Sequence, residues 1–188
     1  MAGLVAIPAG HVAAIVTYLE MRAAPSAPVP DSDFSLERAE PGPAAYRDLF
    51  ARVGGPWLWY SRLEMDDEAL ARALGEVHVV RDPEGALAGF VELDFPGAAT
   101  ARIRFLGLLP EHAGQGRGAW LIAATLALAW REGVERVTVH TCTLDHPAAL
   151  PAYLEAGFAA TGRALETFPD PRARGLLPRD AAPQVPLL

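Results

Sequence analysis

Lysine is absent from this sequence, and all sixteen basic residues among its 188 positions are arginine. This absence excludes a lysine nucleophile, a lysine Schiff base and the phosphate-binding lysine of a Walker A loop. Cysteine is nearly absent as well: Cys142 stands alone, cannot form an internal disulfide, and fits a reducing compartment. An excess of basic charge is also missing. The net charge of −7 argues against broad nucleic-acid binding, which requires a basic face.

Long hydrophobic runs are missing too. No stretch of about eighteen uninterrupted apolar residues occurs, and the apolar run Trp120–Trp130 is too short to span a bilayer. Met1–Val16 lacks the basic segment of a secretory signal. We therefore predict no membrane partner and a cytoplasmic location. With 51% hydrophobic residues the chain can bury one sizeable core, expected in a single domain over residues 1–168, followed by an extended, proline-rich tail over residues 169–188.

Hydrophobic periodicity and turn residues predict an α+β fold with a mixed sheet. The proline-rich segment Ala23–Pro43 is predicted to be a loop or linker. Asp66 or Asp67 is expected to cap the helix that begins there. The predicted strands are His11–Met21, Glu76–Arg81, Leu87–Phe95, Thr100–Leu109, Val134–Leu144 and Phe158–Thr167, and the predicted helices are Ala44–Val53, Asp66–Leu74, Gly118–Arg131 and Pro147–Ala156.

The stretch Ile103–Leu121, IRFLGLLPEHAGQGRGAWL, carries the clearest functional signal. Gly114, Gly116 and Gly118 fall on alternate positions where a strand becomes a helix, so backbone N–H groups can turn toward one point. The helix adds its unpaired first N–H groups and the positive end of its dipole. Together they predict a site for a phosphate-bearing ligand, with a tight turn that binds nothing as the alternative. The spacing misses the G-x-G-x-x-G frame of a dinucleotide-binding loop.

A second segment, DHPAALPAYLEAGF at Asp145–Phe158, follows about thirty residues later. The order of strand, glycine loop, apolar helix, strand and this segment resembles the GNAT family of N-acetyltransferases over Leu87–Phe158. The family loop usually reads Q/R-x-x-G-x-G/A, and Ala113 stands where the family has Gln or Arg. The resemblance implies the GNAT acyl-CoA N-acyltransferase fold, in which helices flank a mixed, mostly antiparallel sheet and a central strand pair splays apart to admit acetyl-CoA.

The resemblance also implies an activity, the transfer of an acetyl group from acetyl-CoA to a small-molecule or peptide amine by direct attack in a ternary complex. The pyrophosphate is expected on the glycine loop, and the pantetheine arm along the backbone near Leu108, where an N–H can stabilise an oxyanion. His146 occupies the position where many members carry Asn near the pantetheine, and capping a helix or facing solvent are its alternatives. The implied cofactor-binding residues are Leu108, Gly114, Gln115, Gly116, Arg117, Gly118, Ala119 and His146.

Acid and base candidates come from three elements. In the family a tyrosine at the position of Tyr153 often protonates the departing thiolate, a role that suits its pKa of about 10; a helix tyrosine half-packed on the sheet is the alternative. Glu92 and Asp94 share a strand face, and Glu92 is the candidate general base if that face lines the cleft rather than solvent. His140 and Cys142 also share a face by alternation, which leaves open a covalent acetyl-cysteine route.

An aromatic patch supplies the candidate acceptor site. In the family the connection between the first two helices commonly walls this site, and here it carries Trp57, Trp59 and Tyr60. With Arg62 nearby, such a wall suits a flat or apolar acceptor, with or without a carboxylate. A packed elbow and a homodimer contact are the alternatives, and no residue is assigned to a metal. The alternative function is a non-catalytic GNAT-like module that binds acyl-CoA or a partner protein.

Overall fold

The computed structural model describes residues 3–187, in which one seven-stranded sheet is flanked by four α-helices. The strand order is β2-β3-β4-β5-β6-β1-β7. Short 3₁₀ turns lie at Gly55–Trp57 and Pro110–His112. The strands are β1 His11–Met21, β2 Ser35–Ala39, β3 Glu76–Arg81, β4 Leu87–Asp94, β5 Thr100–Leu108, β6 Arg136–Cys142 and β7 Ala159–Pro169, and the helices are α1 Pro43–Gly54, α2 Asp67–Ala73, α3 Arg117–Ala129 and α4 Ala149–Glu155.

Two central strands separate along their length. Every other neighbouring pair is antiparallel, whereas β5 and β6 run parallel and pair only from Thr100 opposite Arg136 to Arg102 opposite Thr138. Beyond Arg102 the two strands diverge and leave a gap in the sheet. The predicted α+β fold, with a mixed, mostly antiparallel sheet and a splayed central pair, is confirmed.

A β-bulge lies on β5 at the start of this gap. Glu92 on β4 stands opposite Phe105, but the next residue, Leu93, stands opposite Ile103, so Arg104 is the extra residue. Such an insertion reverses the faces of the residues that follow it. Ile103 therefore packs in the apolar cluster under α3, whereas Phe105 packs in the cluster under α1.

The helices cover the two faces of the sheet with separate apolar layers. The layer under α3 and α4 includes Leu121, Leu126 and Tyr153, and the layer under α1 and α2 includes Phe50 and Leu70. Between residues 3 and 187, no helix combines the length and the apolar composition that crossing a membrane requires.

Most predicted elements match the structure within a few residues, and β1 has the predicted bounds. The side chain of Asp66 caps α2 by accepting a hydrogen bond from the amide of Ala69 at 2.7 Å. The predicted loop Ala23–Pro43, however, contains the edge strand β2, which pairs with β3. Its sequence SLERA has no apolar alternation, so its strand conformation comes from the pairing itself.

The C-terminal segment is not the extended tail that the prolines predicted. After β7 the chain folds back, and Leu177 and Ala182 are buried with Phe168 in a third apolar cluster. Arg172 is 3% exposed. Its guanidinium binds the carboxylate of Asp170 at 2.7 Å and backbone oxygens farther along the segment. The segment is packed because a buried ion pair and apolar contacts hold it, neither of which follows from its proline content.

Candidate active site

A cavity of about 410 Å³ lies in the gap between β5 and β6. It is lined by residues of β5, β6, α3 and α4, together with Val53 at the end of α1 and Trp57 and Trp59 in the loop that follows. Of the residues predicted for the site, those on its wall are Leu108, Gly114, Gly116, Gly118, Ala119, His146, Tyr153, Trp57 and Trp59.

The glycine loop meets the start of α3 at one end of this cavity. Gly114 and Gly116 have positive φ angles of 73° and 79°, a conformation that glycine adopts without strain. A Cβ added at Gly114, Gly116 or Gly118 would meet no atom within 4 Å. No side chain caps α3, so its first amides keep their donors. This end of the cavity is therefore open, rich in N–H donors and suited to a phosphate group.

Two members of the predicted loop set point elsewhere. The side-chain amide nitrogen Nε2 of Gln115 donates to the backbone carbonyl of Glu111 at 2.8 Å. The guanidinium of Arg117 lies 4.3 Å from the ring centroid of Phe34. Their side chains do not line the cavity wall in the described part of the chain. Ala113, which replaces the family's Gln or Arg, does line it.

The backbone of β5 presents a free N–H to the gap. Leu108 stands opposite Gly89 on β4, and the next amide, that of Leu109, donates to the carbonyl of Ala88 at 2.8 Å. Because hydrogen-bonding direction alternates along an antiparallel pair, the N–H of Leu108 points away from β4. It faces the side from which β6 has diverged, where an acyl oxygen can accept it.

Tyr153 reaches the cavity from α4 with only 6% of its surface exposed. Its ring packs edge-on against Phe158, 5.6 Å between centroids. Burial and the nearby charge of Asp145 raise the pKa of its phenol, so the hydroxyl keeps its proton at neutral pH. Pro151 does not bend this helix away. Because α4 begins at Ala149, the proline falls in the first turn, whose N–H groups have no intrahelical partner.

Glu92 is neither at the cavity wall nor in solvent, so both predictions for it are wrong. Its side chain is fully buried on the α1 side of the sheet. One oxygen accepts from the Arg62 guanidinium at 2.5 Å and from the Gly75 amide at 3.3 Å, and the other accepts from the Tyr46 hydroxyl. Burial, with Glu92 beside it, raises the pKa of Tyr46. The Glu92 carboxylate is fully engaged in this hydrogen-bond network behind Phe105. Because it pairs with Arg62, that guanidinium is not free to bind an acceptor carboxylate.

Two residues of the aromatic patch, Trp57 and Trp59, line the cavity, whereas Tyr60 packs elsewhere. The indole of Trp57 meets the His146 ring edge-on at 5.3 Å between centroids, and Trp59 lies against Phe105 at 5.2 Å. Tyr60, predicted on the acceptor wall, instead stacks on Phe168 at 4.6 Å and does not line the cavity within residues 3–187. The backbone changes direction between the two tryptophans, at the buried Leu58, which has a positive φ of 58°.

Asp145 is a wall residue that the sequence did not single out. It follows β6 and lines the cavity. One oxygen accepts hydrogen bonds from the Thr141 hydroxyl at 2.7 Å and from the Cys142 amide at 2.8 Å. The other accepts from the indole N–H of Trp59, in the loop after α1, at 3.0 Å. Its place directly before His146 in the family segment was the available signal, but its partner lies 86 positions away.

The remaining candidates lie on β6 and in the loop after it. His140 lines the cavity from an exposed position. Burial and the charge of Asp145 raise the pKa of the Cys142 thiol to about 11. A thiol in that state is a poor nucleophile at neutral pH, which disfavours the acetyl-cysteine route. The Nδ1 atom of His146 accepts a hydrogen bond from the amide of Ala148 at 3.1 Å in the turn before α4, and His146 also lines the cavity.

Comparison with known proteins gives a consistent result. The sequence model of the Acetyltransferase (GNAT) family matches residues 42–158. A mycothiol acetyltransferase of Clavibacter michiganensis subsp. michiganensis (strain NCPPB 382) is 34% identical over 119 residues, which cover 63% of this chain and 34% of that protein. The chain therefore spans about a third of the length of this curated relative.

Solved structures share the fold at low sequence identity. A GCN5-related N-acetyltransferase from Sphaerobacter thermophilus superposes with a TM-score of 0.61 at 15% identity, covering 82% of this chain and 51% of that one. Spermidine N-acetyltransferase from Vibrio cholerae, in complex with CoA and spermine, superposes with a TM-score of 0.52 at 21% identity, covering 70% and 84%. At these identities the likeness shows the fold alone.

Proposed function

Because the chain belongs to the acetyltransferase (GNAT) family, we propose that it is an acetyl-CoA-dependent N-acetyltransferase that acts on an amine. The observation that carries the proposal is the gap between β5 and β6, which connects an N–H-rich phosphate end at α3 to a buried tyrosine hydroxyl and a free β5 amide. These are the groups that an acyl transfer from a phosphate-bearing thioester requires.

The residues present fit acetyl-CoA. The glycine end is open where a Cβ would be, and the apolar sides of the gap suit an extended pantetheine arm. When bound, acetyl-CoA supplies the acetyl group as an activated thioester. The N–H groups of the glycine loop and of the first turn of α3 would hold its pyrophosphate, and His146 would border the arm.

Two groups of the chain would take part in the transfer itself. The N–H of Leu108 stabilises negative charge on an acyl oxygen, because it is a fixed donor on a rigid strand. The acceptor amine would enter beside Trp57 and Trp59 and, in its neutral form, attack the acyl carbon directly in a ternary complex. As the C–S bond breaks, Tyr153 would give its phenol proton to the departing sulfur, and the proton that the amine nitrogen loses would pass to solvent.

The decisive experiment measures CoA release from acetyl-CoA with and without a panel of primary amines, together with calorimetric acetyl-CoA binding. We expect amine-dependent release and binding that weakens at least tenfold in Gly116→Val, because a branched side chain would enter the open end of the cavity. Gly85→Val is the matched control, since Gly85 has a similar φ of 82° and open surroundings but lies in the β3–β4 turn. It should lose stability but keep acetyl-CoA binding.

Two results would contradict the proposal. Tight acetyl-CoA binding without amine-dependent turnover over the whole panel would favour the non-catalytic module. Equal acetyl-CoA affinity of a folded Gly116→Val variant and the wild type would remove the phosphate end from the glycine loop.

A further inference from the structure

Asp145 is the one carboxylate on the cavity wall within the described residues. The other titratable groups there are Arg104, His140, His146 and Tyr153. Most of the remaining wall is apolar or aromatic, although Thr141 and His146 lie close to Asp145 in the chain. A carboxylate in such surroundings loses part of its hydration, so it is favourable only where donors or a cation compensate it.

The compensation that the chain itself supplies is incomplete. Asp145 receives three hydrogen bonds, from Thr141, Cys142 and Trp59, and all three donors are neutral. Within residues 3–187 it forms no ion pair with arginine or histidine. A carboxylate offers about four acceptor positions, so one position remains, on the Oδ1 atom that Trp59 contacts. Its charge is felt nearby, since it contributes to the raised pKa values of Tyr153 and Cys142.

The hydrogen bonds also fix the direction of this carboxylate. Two come from the end of β6, four and three positions earlier in the chain. The third comes from Trp59, which is itself packed tightly against α1, because a Cβ at Gly54 would lie 2.4 Å from its ring. Asp145 is thus a preorganised carboxylate on the cavity wall, beside the aromatic side chains of Trp57 and Trp59.

Resting on the proposed N-acetyltransferase activity, we propose that Asp145 binds the acceptor as its ammonium ion, and that the acceptor is a cationic amine with an apolar or aromatic body and no carboxylate beside the amine. One proton passes from the bound ammonium to solvent before the neutral amine attacks the acyl carbon. The charge of Asp145 selects the ammonium, and Trp57, Trp59 and Phe105 receive the body. The Arg62 guanidinium is buried against Glu92 at 2.5 Å, and Arg104, on the cavity wall, pairs with Asp94 at 3.6 Å in a partly exposed position. Trp59 and Thr141 are positioning residues for Asp145.

The first arm of the test compares matched substrates and variants. Phenethylamine and tyramine should be acetylated with a kcat/KM at least tenfold above that of phenylalanine and tyrosine, which add only the carboxylate. Asp145→Asn should lower kcat/KM for phenethylamine at least thirtyfold, mainly through a higher KM for the amine, with an unchanged KM for acetyl-CoA. Asp145→Glu should recover part of the loss. Glu132→Gln, the same charge change at an exposed position after α3, should leave both constants unchanged.

The second arm of the test monitors the hydrogen bond from the Trp59 indole to Asp145 and does not require turnover. The ¹⁵N–¹H indole signal of Trp59, identified by its loss in Trp59→Phe, should move in Asp145→Asn and should also move when phenethylamine is added to the wild type. Trp59→Phe keeps a ring in the wall but removes the N–H, so it should raise the KM for phenethylamine severalfold and leave the KM for acetyl-CoA unchanged.

The outcomes separate the inference from the function on which it rests. Amine acetylation that is equal in Asp145→Asn and wild type would overturn the role of Asp145 while the activity stands. Preference for phenylalanine over phenethylamine would overturn the substrate class. If no amine is acetylated, the activity fails, and the indole signal still decides: a phenethylamine-induced shift that Asp145→Asn abolishes supports the site, and the absence of any shift overturns it.

Discussion

The phenol of Tyr153 combines a nearly buried ring with a hydroxyl at the cavity, and burial keeps that hydroxyl protonated. The same physical effect acts on other groups near the site. It keeps Cys142 a thiol, with a pKa of about 11, and Tyr46 a neutral donor to Glu92. For these three groups desolvation stabilises the neutral form, whereas the cavity wall also carries the Arg104 guanidinium and the Asp145 carboxylate.

Tyr153→Phe should leave binding intact and slow the transfer. The variant keeps the ring that packs on Phe158 and removes only the proton donor, so kcat should fall about ten- to a thousandfold, near the range for a positioned acid, with a similar KM for acetyl-CoA. In the wild type the raised pKa predicts no loss of rate from deprotonation of Tyr153 below about pH 10. Steady-state kinetics over pH 6–10 on both proteins test this.

An unchanged kcat in Tyr153→Phe would assign proton donation to solvent. Thermal unfolding of the variant is the necessary control, since a large fall in melting temperature would mean that the hydroxyl also supports the fold.

At the scale of elements, β5 determines the site because it carries the bulge, the free amide and the close contact with α1. A Cβ at Gly107 would lie 2.5 Å from Cγ1 of Val53 on α1. Only glycine allows this approach. The loop that follows α1 then lines the cavity with Trp57 and Trp59.

Gly107→Ala and Gly118→Ala should therefore have opposite effects. Gly107→Ala forces α1 from the strand and should lower the free energy of unfolding by about 1–3 kcal/mol. Gly118→Ala places a methyl group in open space within the first turn of α3, where alanine is favoured over glycine by up to about 1 kcal/mol. It should keep or raise stability but weaken acetyl-CoA binding, because the methyl group stands on the cavity wall.

Urea unfolding and acetyl-CoA calorimetry on the two variants distinguish these effects. A Gly118→Ala protein with unchanged acetyl-CoA affinity would indicate that the cofactor does not approach the first turn of α3. A Gly107→Ala protein of wild-type stability would show that α1 can shift at no cost.

At the scale of the whole molecule, the C-terminal segment completes the apolar cluster that supports the loop carrying Trp57 and Trp59. Leu58 of that loop packs with Leu177 and Ala182, and the Gln184 side chain donates to the Pro56 carbonyl at 2.8 Å. The buried Arg172 holds the segment together through Asp170 and backbone oxygens. Loss of the segment's packing should therefore loosen the loop that carries Trp57 and Trp59.

Arg172→Ala should lower the free energy of unfolding by about 3–5 kcal/mol, because it leaves a buried carboxylate without its partner. Arg174→Ala is the matched control. Its ion pair with Glu64 at 2.7 Å is substantially exposed, so its loss should cost about 0–1 kcal/mol.

Arg172 also lowers the pKa of Asp170. The stabilisation from this pair is therefore present above about pH 4 and is lost as the pH falls through the lowered pKa.

Chemical denaturation of Arg172→Ala and Arg174→Ala at pH 7 measures the loss of stability. The pH dependence is measured by denaturing the wild type and Asp170→Asn from pH 7 to pH 3. Equal stability of Arg172→Ala and Arg174→Ala would show that the segment contributes little. In Asp170→Asn the acid-dependent part of the stability should be smaller than in the wild type, and an identical pH dependence would contradict the assignment to Asp170.

Local patterns in the sequence determined the order of most elements, the glycine loop and the position of Tyr153. Each depends on residues close together in the chain: alternation within β1, an apolar face on α1, and glycines at one strand-to-helix junction. The family segment Asp145–Phe158 is also local. Such features are predictable because the backbone conformation they require is set by neighbouring side chains.

Only the tertiary structure determined which side chains of those elements contact one another. The bulge at Arg104 turns Phe105 to the opposite face from Ile103, and pairing across the sheet buries Glu92 with Arg62. Asp145 receives Trp59 from 86 positions away, and Arg172 folds back a segment whose prolines predicted extension. The physical reason is common to all four: strand register and long-range contacts decide which face is buried and which charge is paired, and no local pattern specifies them.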